Sequence, residues 1–76
     1  MKNWFKKVEL EEHDILVVRD SNNEDGENVK VTACFGSVKV SATMIYEDDE
    51  TKADKMFSEY GQKQAKEFIG EFKNMF

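Results

Sequence analysis

Carboxylates are the residues of this sequence with the most capacity for chemistry. Asp20, Glu24, Asp25 and Glu27 fall within one stretch and Glu47, Asp48, Asp49 and Glu50 within another, with no lysine or arginine inside either. Paired carboxylates perform acid–base work when a cleft drives their ionisations apart, as in glycoside hydrolysis. A chain of 76 residues has little material for such a cleft within a monomer. The same residues can serve two other ends. Ahead of a helix they complement the positive end of its dipole. Gathered on a surface, they offer a docking site for a partner rich in lysine and arginine, and stand in for phosphates if that partner handles nucleic acid.

Metal and nucleophile readings fail on spacing. Asp20, Asn22 and Glu24 occupy positions 1, 3 and 5 of a calcium-type loop, but Gly26 falls at position 7 instead of 6, and Val31 stands at position 12, where a bidentate glutamate is needed. His13 and Cys34 are the one imidazole and the one thiol, too few for a zinc site. A nucleophile pair made of them would lack an orienting third group and an oxyanion loop. No phosphate loop, GxSxG elbow or HExxH pair occurs. The sequence therefore points to no catalytic residue, no cofactor and no metal.

Charge sets the class of partner. Sixteen acidic against eleven basic side chains leave a net charge of −5, which opposes attraction to nucleic-acid phosphates or anionic lipid and favours a basic protein surface. The longest aliphatic run is Ile15 to Val18, whereas a membrane helix takes about 20 apolar residues. No apolar secretory core follows Met1 and Lys2, and a single cysteine suits a reducing compartment, so a cytoplasmic location is expected.

The elements that must position these residues follow from periodicity. Val29, Val31, Ala33 and Phe35 alternate with polar residues up to Gly36-Ser37, and Val38, Val40, Ala42, Met44 and Tyr46 alternate after it. Glycine in the first loop position suits a type II′ turn, which sets Phe35 opposite Val38, Ala33 opposite Val40 and Val31 opposite Ala42. Lys30, Thr32, Lys39, Ser41 and Thr43 then share a watered face, with Phe35 and Tyr46 on the other, so that the lysines lack the aromatics of a sheet-type RNA reader. Asp14 to Asp20 reads as a further strand, apolar on both faces, to be covered by a helix on one side and by Trp4 and Phe5 or another molecule on the other. Residues 4–10 fit a strand through Lys6, Val8 and Leu10, and a helical turn through Trp4, Phe5 and Val8; strand is preferred.

The last third is helical, with Thr51 and Asp54 at capping-box spacing. Ala53, Met56, Phe57 and Tyr60 form one apolar stripe, and Ala65, Phe68, Ile69 and Phe72 a second. At about 100° per residue the stripes are out of phase. A kink or break at residues 60–62 is expected, with Gly61 as a left-handed cap. The terminal Phe68, Phe72, Met75 and Phe76 suit core packing more than docking, although Met75 and Phe76 would fray unless held.

These readings describe a single α+β domain over 1–76, a two-layer antiparallel meander of three or four strands packed on a C-terminal helix kinked or broken near Gly61. A meander brings the two acidic connections to the same end of the sheet. The functional expectation is a small, acidic, non-catalytic protein-binding module. Its role would be stoichiometric inhibition of a basic and nucleic-acid-handling protein, such as a defence nuclease or CRISPR effector, for a phage or mobile element. The alternative is a homo-oligomeric structural or regulatory subunit, in which the Ile15–Val18 strand or the out-of-phase helix stripe pairs with its own copy.

Overall fold

Period-two alternation and a glycine turn yield the expected sheet. The computed structural model describes residues 3–11, 13–22 and 26–73. Four antiparallel strands, β1 (Asn3–Glu9), β2 (Asp14–Asn22), β3 (Gly26–Phe35) and β4 (Val38–Glu47), lie side by side in chain order and are followed by α1 (Glu50–Glu59) and α2 (Gln62–Lys73). Residues 3–9 are thus strand, the preferred of the two readings. Gly36 has φ +63°, and Phe35, Ala33 and Val31 pair with Val38, Val40 and Ala42 as the turn chemistry requires.

The helices cover one face of this sheet. Val8, Ile15, Val17, Val29, Val31 and Ala33 are buried there beneath Ala53, Tyr60, Ala65 and Ile69. Phe35, Met44, Tyr46, Met56, Phe57 and Phe68 are partly buried around them. Trp4 joins this side, its ring 6.0 Å from that of Phe57. Lys6 follows two residues on, with Nζ 4.9 Å from the centre of the Phe57 ring and donating to the Ser58 carbonyl at 3.4 Å. Its partial burial lowers the pKa of the ammonium.

The chain breaks between the two apolar stripes, and Ala53, Met56, Phe57 and Tyr60 of the first and Ala65, Phe68 and Ile69 of the second all pack in or against the core; the side chain of Phe72, and Met75 and Phe76, lie outside the described residues. The expected left-handed glycine cap is not how the break is made. Tyr60 ends α1 in an extended conformation, φ −68° and ψ 116°, while its N–H still reaches the carbonyls of Met56 and Phe57. Gly61 is absent from the positive-φ residues and instead opens α2: its carbonyl accepts from Ala65 N, and its N–H donates to Gln64 Oε1 at 3.0 Å. That is one half of a capping box, supplied by the residue three positions into the helix. Burial, with help from Glu67 and Glu71, raises the pKa of the Tyr60 phenol at this junction.

The start of α1 also differs from expectation. Asp49, not Thr51, is the N-cap, its carboxylate accepting from Lys52 N at 3.0 Å. Asp54 is drawn instead to an arginine of the sheet. The two helix-forming patterns were legible; the caps depended on which side chains tertiary contacts had claimed.

Candidate functional site

The two acidic connections meet at one end of the sheet. Glu47, with φ 54°, stands opposite both Gly26 and Glu27 in an irregular pairing that closes β3 against β4. Glu47, Asp48, Asp49 and Glu50 are all exposed there, and Asp20 is half-buried on the neighbouring strand. Glu24 and Asp25 lie outside the described residues.

These carboxylates are not equivalent, because a base stands among them. Arg19 continues the helix-facing alternation of Ile15 and Val17, and its side chain is fully buried. Its Nε donates to Asp54 Oδ1 on α1 at 3.0 Å, and its Nη1 to the Asp20 carbonyl at 2.6 Å and Ser21 Oγ at 3.4 Å. Nη2 lies 2.7 Å from Glu27 Oε2, an ion pair without the alignment of a hydrogen bond. Ser21 Oγ in turn donates to Glu27 Oε2. Glu27 is therefore turned inward to neutralise arginine and Asp49 is engaged at the helix end. Glu47, Asp48 and Glu50 are exposed and contribute outward charge, with Asp20 half-buried nearby. The expectation of acid without an interspersed base is corrected on this point. The signal for Arg19 in the sequence is its place two residues beyond Val17 in a period-two pattern, which puts it on the covered face.

The second surface is the sheet face that no helix covers. Phe5 on β1 is 74% exposed and pairs with Val18 of β2, which pairs with Lys30 of β3. One step along, Lys7 pairs with Leu16, 43% exposed, which faces Thr32. Trp4 and Phe5 thus divide between the two faces, and the outer side of Leu16 and Val18 stays open to solvent in the single chain. Phe5 also places one aromatic on the watered face, across Val18 from Lys30, where none was expected. Lys7 is flanked by Glu9 and Asp14 at 3.8 and 3.3 Å, so the charges across this face are mixed.

Cys34 is exposed on the open face opposite Lys39, as the register required. The His13 ring lies 4.8 Å from that of Phe35, on the helix side of the hairpin. The sheet keeps thiol and imidazole apart. Among the described residues, no three His, Cys, Asp or Glu side chains come together as a metal-binding group, and no helix is long and apolar enough to cross a membrane. No family model, curated protein or solved structure matches this chain.

Proposed function

We propose that this chain is a small, acidic, non-catalytic protein-binding module that acts in the cytoplasm as a stoichiometric inhibitor of a basic protein. The partner envisaged handles nucleic acid, and the gene envisaged belongs to a phage or mobile element. The observation that carries this reading is the pairing of Glu47 with Gly26 and Glu27, which sets the exposed Glu47, Asp48 and Glu50 near the start of β3. A carboxylate-rich end of this kind steers a lysine- and arginine-rich surface into contact, and occlusion then needs only area and charge.

The test replaces Glu47 and Asp48 with lysine and leaves the Asp49 cap and the first-turn Glu50 in place, because losing the cap alone would cost about 1 kcal/mol and confuse the result. Affinity capture from the source cell should recover a basic protein in equimolar amount with the native chain, release it as salt is raised, and fail with the double variant. Retention by the variant, or binding indifferent to salt, would overturn the reading.

A second reading is self-association through the open sheet face, favoured by the adjacent Phe5, Val18 and Leu16. The version in which β2 pairs edge to edge with a copy is ruled out, since β1 and β3 occupy both its edges; only face-to-face packing remains. Sedimentation of the isolated protein decides: a dimer that Leu16→Lys converts to monomer supports this reading, and a native monomer at high concentration removes it.

A further inference from the structure

The sheet has two edge strands, β1 and β4, and they are not defended alike. β1 carries Lys6, Lys7 and Glu9 along its seven residues, and charge of this kind hinders the addition of a further strand. β4 runs for ten residues, and from Val40 to Tyr46 it holds no charge and no proline. Val38 and Ile45 on it are 47% and 54% exposed. The edge pairing closed to β2 by its neighbours is therefore open to β4, whose outer edge no strand among the described residues occupies.

The hairpin determines which backbone groups that edge presents. Its two-residue turn makes Phe35 and Val38 a hydrogen-bonded pair, so every second residue of β4 from Val38 onward bonds to β3. The N–H and C=O groups of Lys39, Ser41, Thr43 and Ile45 then point away from the sheet. Lys39 and Glu47, both exposed, are the two charged residues of β4, and each lies four positions from Thr43.

We infer that β4 pairs antiparallel with β4 of a second copy about a two-fold axis at Thr43, joining two four-stranded sheets into one. This register sets Lys39 opposite Glu47 of the copy, twice over by symmetry. Thr43 meets Thr43 and Ser41 meets Ile45 on the open face, while Val40 meets Tyr46 and Ala42 meets Met44 on the helix side. Centring on Ala42 would put Lys39 against Ile45, and centring on Met44 would carry Lys39 past the end of the copy's strand. Only the Thr43 register neutralises both charges. The neighbouring groups agree with it. Asp48, Asp49 and Glu50, next in the chain after Glu47, also attract a lysine, Lys52 belongs to the helix layer, and Glu27 is already held by Arg19. Lys39 has Cys34 beside it on β3. Lys30, beside Thr43, is kept from its counterpart by both β4 strands, roughly 14 Å and past the Debye length at physiological salt.

Sedimentation of the isolated protein from roughly 10 µM to 1 mM should show monomer giving way to dimer. Lys39→Glu and Glu47→Lys should each weaken the dimer roughly tenfold or more, since two attractive pairs become two repulsive ones. Combined in one chain they reverse the sense of both pairs, and the dimer should return to within about threefold of the native one. Thr43→Pro should abolish it and leave the monomer folded, because the N–H it removes lies on the outer edge. The charge swap decides by itself if the proline variant does not fold. As native protein is concentrated, the amides of Ser41, Thr43 and Ile45 should exchange with solvent more slowly, while those of Val40, Ala42 and Met44 stay constant. Partner capture by the acidic end is read separately, since Thr43→Pro leaves that end unaltered. A native monomer throughout the range would overturn the inference, as would a double charge swap no tighter than its single variants. So would a dimer that Leu16→Lys dissolves and Thr43→Pro spares, which belongs to the open face instead.

Discussion

Arg19→Met should lower the free energy of unfolding by about 3 kcal/mol, the low end of what removal of one partner from a buried ion cluster costs. Methionine replaces much of the stem but not the guanidinium. Glu27 and Asp54, with side chains 19% and 30% exposed, would then face a fully buried position with no countercharge. Their partial access to water keeps the loss from being larger. The cluster also ties α1 to β2 and β3, so its loss should loosen the helix layer where the chain leaves the sheet. Urea denaturation gives the number, read from the midpoint at constant slope. Adding Glu27→Gln and Asp54→Asn to Arg19→Met should restore more than half of the loss, since the penalty is chiefly uncompensated charge. A triple variant no more stable than the single one would refer the loss to packing and to the bonds that Arg19 makes with Asp20 and Ser21.

Gly26→Ala should cost about 3 kcal/mol, from two sources. An L residue at φ +71° pays roughly 1–2 kcal/mol. A Cβ at this position would also stand 2.3 Å from the Glu47 carbonyl oxygen, which is backbone and cannot swing aside; relieving such overpacking costs roughly 1–3 kcal/mol. Gly36→Ala separates the terms. Gly36 has a similar φ of +63° but open space around its Cβ position, so alanine there should cost only about 1–2 kcal/mol. Equal losses at the two positions, measured in the same urea series, would show that the close approach of Glu47 plays no part. The amide resonances of Glu47 and Asp48 should shift in the Gly26 variant and not in the Gly36 variant, because only the former displaces the acidic end.

Arg19 and Gly26 lie at the same end of the sheet, and together they show how the acidic end is built. Gly26 lets Glu47 approach. Arg19 draws Glu27 inward and holds Asp54, while Asp49 caps α1. Of the eight carboxylates expected to dock a partner, these contacts assign two to the fold itself. Charge reversal is therefore best directed at Glu47 and Asp48, leaving Asp49 and the first-turn Glu50 to α1.

Local rules made the strands, the hairpin register and the interrupted helix readable from the sequence. Period-two alternation around Gly36 and two apolar stripes out of phase about Gly61 each specify a geometry without reference to distant residues. The meander order, and with it the meeting of the two acidic connections, followed from the same reasoning. The destinations of particular polar groups did not. Asp54 stands where a capping box would use it, yet it binds Arg19, 35 residues away in the chain. Gly61 begins a helix instead of ending one, because Gln64 supplies the bond that a left-handed cap would have made unnecessary. Phe5 and Trp4 are neighbours in sequence, but only the placement of α1 determines that Trp4, still 44% exposed, meets the Phe57 ring while Phe5 is 74% exposed on the other face. A polar or aromatic side chain can satisfy itself in several ways at similar local cost, and the choice among them is made by the groups that the folded sheet and helices bring within reach.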